Sequence, residues 1–247
     1  MKLATYNIWN SDAGMPIRFQ QLSREIIESG ADIICLQEVS EREKHDQFSI
    51  DCGYNYRHWQ SKTGLSILSK YPMDQVIDFE YGISARIQVE SKILHIINVH
   101  LPWEKASLRE KVIVNIVKNI TNANADFAFL MGDFNCSENS SVHRFLLNEQ
   151  SLLGNDAYFY DLAEAFAEMT GKSAPATLNV RENPRWGVVQ LRNTIEVNQR
   201  FDWILLKNPY PADFPILKDC SIFGTEISKE TGLAASDHYG VIVEMEF

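Results

Sequence analysis

Short apolar runs in this chain repeatedly end on a side chain that a dry interior rejects. Ala4-Thr5-Tyr6 leads into Asn7, and Ile33-Ile34-Cys35-Leu36-Gln37 leads into Glu38. Ile96-Ile97-Asn98-Val99 leads into His100, and Phe129-Leu130-Met131-Gly132 into Asp133, with Asn135 just beyond. Asp202 sits inside Arg200-Phe201-Asp202-Trp203-Ile204, and Asp237-His238 precede the last apolar run. Such runs read as buried strands. A charged or amide group attached to a buried strand is costly unless it is paired or coordinated. Layered α/β folds assemble their sites at strand ends. The pattern therefore favours a layered fold in which these residues share one pocket.

The segments around these residues predict the elements. Leu3–Trp9, Asp32–Leu36, Gly64–Ser69 and Phe127–Met131 read as strands, and Ile83–Val89 and Ile93–Val99 as a hairpin around Glu90-Ser91-Lys92. Pro16–Ser29 carries Phe19, Leu22, Ile26 and Ile27 on one helical face, with Gly30 in a capping position. Glu104–Thr121 is the longest expected helix, and Ser140–Asn148 and Leu162–Thr170 are shorter ones. Arg200–Leu206, Ser221–Gly224 and Tyr239–Phe247 read as late strands. Hairpin and crossover signals together favour layered α/β with mixed sheets. With no repeat, low-complexity tract or linker, residues 1–247 are expected to form a single domain.

Composition narrows the class. Aromatic residues make up 11% of the chain, which with the regular apolar runs excludes a disordered protein. No stretch approaches the ~18 uninterrupted apolar residues of a membrane span. Cys35, Cys52, Cys136 and Cys220 share no zinc-like spacing and read as free thiols of a reducing compartment. The N-terminus reaches polar residues too early for a signal peptide, so a cytoplasmic location is expected. A net charge of −10 disfavours tight non-specific binding to nucleic acid. It leaves room for a nucleic-acid enzyme, because a metal ion supplies local positive charge. Nothing in the sequence implies a protein partner.

Taken singly, each polar residue has an ordinary reading. Asn7 suits a strand-end turn, Glu38 a solvated loop, Gly132-Asp133-Phe134-Asn135 an Asx-type turn, His100 a core histidine, Asp202 a strand edge and Asp237-His238 an exposed loop. His45, His58, His95 and His143 lack comparable surroundings and read as surface or core residues. Taken together, the oxygen donors of Asn7, Glu38, Asp133, Asn135 and Asp237, with no cysteine cluster, suit Mg²⁺ or Mn²⁺. His100 and His238 with the extra carboxylates suit general-base and oxyanion roles. Hydrolysis of a phosphate ester needs these parts: charge neutralisation, an activated water and a stabilised leaving oxygen.

The ordered motifs resemble the endonuclease/exonuclease/phosphatase superfamily. They are Asn7, Leu36-Gln37-Glu38-Val39, Gly64 to Pro72, Asn98-Val99-His100-Leu101, Gly132-Asp133-Phe134-Asn135, Arg200-Phe201-Asp202-Trp203-Ile204 and Ser236-Asp237-His238. The resemblance implies a DNase I-like four-layer α/β/β/α sandwich of two mixed sheets flanked by helices, with the site at one rim. It implies Glu38 as the main metal ligand with Asn7 beside it, and Asp237 as an orienting group or second-metal ligand. It implies Asp133 and Asn135 as the residues that position water and phosphate. His238, oriented by Asp202, would be the base or its helper, and His100 would donate to a phosphoryl oxygen or the leaving group. The abasic-site endonuclease branch differs from Asn7-Ile8-Trp9-Asn10 and usually has tyrosine in place of His100.

Ala174–Asn193 is locally basic and aromatic, with Arg181, Arg185, Trp186 and Arg192 against Glu182. It reads as a substrate lip or as an ordinary exposed loop. Trp9 and Trp103 follow motif residues and read as pocket walls or core packing. The expectation is a Mg²⁺-dependent phosphoesterase, with Mn²⁺ as a possible substitute. It would cleave a phosphodiester or phosphomonoester of a small, lipid-derived or short nucleic-acid substrate. The alternatives are a DNA or RNA nuclease and a catalytically silent binding module.

Overall fold

A computed structural model describes residues 1–120, 124–187 and 195–247. Thr121, Arg192 and Asn193, named above, lie outside them. The first sheet contains β1 (Lys2–Asn7), β2 (Ile33–Gln37), β3 (Tyr56–Gln60), β4 (Leu65–Ser69), β11 (Ile216–Phe223) and β12 (Gly240–Glu246). Its strand order is β11-β12-β1-β2-β4-β3. The second contains β5 (Met73–Phe79), β6 (Gly82–Val89), β7 (Lys92–His100), β8 (Phe127–Asp133), β9 (Phe159–Asp161) and β10 (Asp202–Lys207), in the order β5-β6-β7-β8-β10-β9. Each sheet has one parallel pair at its centre, β1 with β2 and β7 with β8, and its other pairs are antiparallel. The crossovers between the parallel strands carry α1 (Ile17–Ser29) and α3 (Ala106–Ile120).

Three apolar interfaces build the layers. Between the sheets, Leu3, Ile33, Cys35 and Ile67 meet Leu94, Ile96, Phe129, Met131 and Ile204. On the outer face of the first sheet, Tyr6, Ile34 and Leu36 pack with Leu22 and Ile26 of α1 and with Phe48 of α2 (Arg42–Asp51). On the outer face of the second, Ile97, Val99, Leu130 and Trp203 pack with Ile113 and Ile116 of α3 and with Phe145 of α4 (Ser141–Leu146). This is the expected sandwich of two mixed sheets flanked by helices. The last α-helix among the described residues, α5 (Leu162–Thr170), follows β9 directly, and Asp161 caps it by accepting from the Ala163 and Glu164 N–H groups.

The expected helices and inner strands are present, with boundaries shifted by a few residues. Gly30 does cap α1, at φ 67°. The hairpin of β6 and β7 is present in register, Val89 opposite Lys92. Ser140 caps α4, which stops at Leu146 rather than Asn148. No expectation covered α2, β3, β5 or β9, and only the end of β11 was anticipated. The strands β3, β5, β9 and β11 are the edges of the two sheets. The β5 segment Asp74–Asp78 is exposed throughout, so it carries no apolar run to read.

Strand alternation sets up the site. Successive strand residues face opposite ways. Leu3, Thr5 and Asn7 therefore face the inter-sheet layer, as do Leu94, Ile96, Asn98 and His100. So do Phe127, Phe129, Met131 and Asp133, and likewise Asp202, Ile204 and Leu206. The layer is oily at one end and polar at the other. Across the transition, Gln37 Nε2 donates to Thr5 Oγ1 at 3.0 Å and to Asn98 Oδ1 at 2.7 Å. Asn98 Nδ2 donates to the Leu36 and Ser66 carbonyls at 2.9 and 2.8 Å. This buried network ties the two sheets together just beneath the rim.

Candidate active site

Asn7 stands at the centre of the rim. Its Nδ2 donates to Glu38 Oε1 and to Asp133 Oδ2, both at 3.0 Å, and so links the two sheets. Its Oδ1 accepts from the Trp9 N–H at 3.0 Å. Glu38 follows β2 at φ 64°, and its Oε2 accepts from the Asn10 N–H at 2.6 Å. Asp133 is buried at the end of β8, where its Oδ1 accepts from the Asn135 N–H at 2.8 Å. Asn135 has φ 49°, and its Nδ2 donates to the Leu101 carbonyl at 2.9 Å. Side-chain-bearing residues rarely adopt positive φ, and such residues concentrate at functional sites.

Two imidazoles complete the rim. His100 Nε2 lies 3.4 Å from Asp133 Oδ2 and 4.0 Å from Glu38 Oε1. His238 Nδ1 bonds Asp202 Oδ2 at 2.9 Å, while its Nε2 points toward Asp133 Oδ2 at 3.9 Å. Burial by itself would lower the His238 imidazole, but the Asp202 and Asp133 carboxylates override it and hold it well above the usual histidine range. Asp237 lies in the same field. Burial, assisted by the Glu38 and Asp133 charges, raises its carboxyl despite the opposing pull of His238. Ser236 Oγ donates to the Asn7 carbonyl at 2.7 Å and so fastens this segment to β1.

An open groove of about 560 Å³ exposes the set to solvent. Glu38, His100, Asp133, Asn135 and His238 border it, with Ser61, Lys62, Thr63 and Trp103 on the walls. A larger surface groove of about 660 Å³ lies elsewhere, around Arg42, Arg57 and Trp59, and holds none of these carboxylates and imidazoles. Trp103 is 74% exposed, so it borders the groove and is not core. Trp9 lies beneath two arginines, with the guanidinium carbons of Arg18 and Arg185 over its ring at 5.3 and 4.8 Å.

The structure thus brings together Asn7, Glu38, His100, Asp133, Asn135, Asp202, Asp237 and His238. Of the basic loop, the structure describes residues up to Gly187. Arg185 Nε donates to the Ala234 carbonyl at 2.7 Å, and Trp186 Nε1 to the Asp237 carbonyl at 2.8 Å. Arg181 Nη2 donates to the Glu196 carbonyl at 2.6 Å. Each of the three thus donates to a backbone carbonyl, and none is among the residues that border the groove. Gln37, Asn98 and Asn10 stand within the motifs, but the sequence assigns them no role of their own. For Gln37 and Asn98 a signal existed, since each is an amide inside an apolar run.

The chemistry of the donor set suits a hard divalent cation. Glu38, Asp133, Asp202 and Asp237 concentrate carboxylates, and the Glu38 side chain stays 26% accessible at the groove. Asp133, Asp202 and His238 also lie close enough to hold an ion. A second such cluster, His143, Asp161 and Glu164, has its charge met by Arg200, which bonds Asp161 at 2.7 Å and Glu164 at 2.9 Å.

Two packed mixed sheets with flanking helices and this rim define a DNase I-like fold. The chain belongs to the endonuclease/exonuclease/phosphatase family, whose model matches residues 4–238. Its fold is similar to that of D. rerio TDP2 complexed with a single-strand DNA product (TM-score 0.77, 16% identity, covering 100% of this chain and 99% of that one). It is similar to humanized D. rerio TDP2 with 14 mutations (TM-score 0.78, 15% identity, 100% and 99% covered). A family protein from Leptotrichia buccalis is also similar (TM-score 0.74, 18% identity, both chains covered in full). No curated protein matches the chain by sequence. No helix among the described residues is long and apolar enough to cross a membrane.

Proposed function

We propose that the whole chain, residues 1–247, is one Mg²⁺-dependent phosphoesterase unit. It hydrolyses a phosphodiester or phosphomonoester by in-line attack of water, with Mn²⁺ as a possible substitute metal. The observation that carries this reading is Asn7 Nδ2 holding Glu38 and Asp133, from different sheets, at 3.0 Å each beside two imidazoles. Glu38 would hold the cation, with Asn7 and Asp237 beside it. Bound there, the cation would neutralise phosphoryl charge and favour departure of the leaving oxygen.

The chain's own groups do the rest. Asp133, oriented by Asn7 and the Asn135 N–H, presents Oδ2 toward the groove. The proton of the attacking water goes to the Asp133–His238 pair, whose facing atoms are 3.9 Å apart. Asp202 fixes the ring of His238 through Nδ1, which leaves Nε2 turned toward the reaction. His100 and the Asn135 amide border the groove and donate to phosphoryl oxygens there.

We favour a small, lipid-derived or short nucleic-acid phosphodiester, because the net charge of −10 gives no broad field for a long polyanion. The second reading, a DNA or RNA nuclease, is favoured by Trp103, whose exposed ring in the groove wall offers a stacking surface, and by Lys62 on the same walls. A cytoplasmic location is supported by four cysteines without a disulfide.

The test is hydrolysis by the purified protein in Mg²⁺ or EDTA. The panel is plasmid DNA, single-stranded RNA, sphingomyelin, inositol polyphosphates and bis(p-nitrophenyl) phosphate. Activity should require Mg²⁺, and His238→Ala should lower kcat on the order of 10²–10⁴-fold. Turnover that survives both EDTA and the substitution would remove this mechanism. Its absence on every substrate would favour the silent binding module.

A further inference from the structure

Residues 235–238 lie outside every helix and strand, so His238 does not inherit its position from a sheet ladder. A buried irregular backbone must find donors for its carbonyls elsewhere. Here consecutive carbonyls accept from side chains. Ala234 O accepts from Arg185 Nε at 2.7 Å, and Ala235 O from Arg18 Nη1 at 3.2 Å. Ser236 O accepts from Asn183 Nδ2 at 2.9 Å, and Asp237 O from Trp186 Nε1 at 2.8 Å.

Asn183, Arg185 and Trp186 all stand on one short turn, the 3-10 helix Pro184–Trp186 with its cap Asn183. The turn is itself fixed. Asn183 Oδ1 accepts from the Arg185 N–H at 3.0 Å, and Gly187 closes the turn at φ 62°. The turn also reaches the far side of the site. The Arg185 guanidinium carbon lies 4.8 Å over the Trp9 ring, and the Trp9 N–H donates to Asn7 Oδ1 at 3.0 Å.

We propose that the Asn183–Trp186 turn is a positioning clamp for this site, setting the backbone of residues 234–237 and through it the placement of Asp237 and His238. The proposal rests on the phosphoesterase reading above. Asn183, Arg185 and Trp186 are positioning residues: each donates to a backbone carbonyl within residues 234–237, and none of them borders the groove. The clamp takes the place of the missing ladder. A reacting group displaced by about 1 Å can lose ~10²-fold in rate, so such a substitute matters.

Trp186→Phe keeps an aromatic ring and removes the Nε1–H donor along with the five-membered ring that carries it. Asn183→Asp keeps the Oδ1 cap and turns the Nδ2 donor into a carboxylate oxygen that repels the buried Ser236 carbonyl. Two measurements apply to each variant: steady-state hydrolysis of bis(p-nitrophenyl) phosphate with Mg²⁺, and the NMR resonance of the His238 Nδ1–H with amide exchange at His238. Both variants should lose kcat on the order of 10- to 10²-fold with KM changed by less than about 2-fold. The Nδ1–H resonance should shift or broaden, and the His238 amide should exchange faster. A rise in KM with kcat and the resonance unchanged would make the turn a substrate contact and overturn the clamp. So would variants in which nothing moves. If the wild-type protein hydrolyses nothing, the phosphoesterase reading fails, and the resonance and exchange data alone decide the clamp.

Discussion

Glu38 and Asn135 flank the site in a backbone conformation that side chains resist, with φ of 64° and 49°. The strain is held by local bonds: Asn10 N–H on Glu38 Oε2, and the Leu101 carbonyl on Asn135 Nδ2. Glu38 thereby aims an accessible carboxylate from one sheet toward Asp133 of the other. A residue set this way acts through its charge, so Glu38→Gln tests it with little change of shape. The half-saturating Mg²⁺ concentration for hydrolysis should rise by about 10-fold or more. Superposable Mg²⁺ titrations of the two proteins would take Glu38 out of metal binding. Glu38, Asp133 and His238 were legible in the sequence because each ends or adjoins an apolar run that cannot leave it unpartnered. The partners themselves were not legible. Arg185 and Trp186 look like surface cations and aromatics in sequence, and only folding reveals carbonyls at 2.7 and 2.8 Å waiting for them.

At the scale of elements, the inner strands announce themselves and the edges do not. A strand buried on both faces must be apolar nearly throughout, as in Ile33–Gln37 and Phe127–Asp133. An edge strand such as β5 can be polar along most of its length and still pair. The helix α2 hides for a similar reason: of its ten residues only His45, Phe48 and Ser49 are buried. The β7–β8 pair shows how closely elements approach beneath the site. Gly132 has φ 142°, and a Cβ there would meet the Val99 carbonyl oxygen at 2.0 Å, a backbone atom that cannot move aside. Gly132→Ala should therefore destabilise the protein by about 3 kcal/mol or more. It should also displace the adjoining Asp133. Equilibrium urea unfolding measures the first effect, and a midpoint equal to wild type would contradict this packing.

At the scale of the whole molecule, burial fixes how stability depends on pH. Burial lifts the Glu25 carboxyl to about 7, although Gln21 and Tyr6 donate to it. Burial also pulls His45 and His95 down to about 4. Between pH 4.5 and 7 the folded protein keeps the Glu25 proton that the unfolded chain has lost, so this group costs stability as pH rises. Between pH 6.5 and 4 the unfolded chain protonates both histidines before the folded protein does, so these groups cost stability as pH falls. His238, held above the usual range, keeps in the folded protein a proton that the unfolded chain loses above pH 6.5, so it joins Glu25 in costing stability as pH rises, while the two lowered histidines dominate at acid pH. From these groups, Tm should peak at about pH 6 to 6.5, and Glu25→Gln should move the maximum upward and make the decline just above it shallower without abolishing it, since His238 remains. A thermal-denaturation series across pH 4 to 8 decides this, and an unchanged alkaline limb in the variant would refute the assignment. The layered α/β class, the inner strands and the residues that had to meet are written in the chain, because alternation and the cost of burying charge are local constraints. The edge strands, the Gln37–Asn98 tie between the sheets and the turn against residues 234–237 emerge only on folding. Those depend on which backbone groups are left without partners once the sheets have closed on each other, and that is a property of the packed molecule, not of any segment of it.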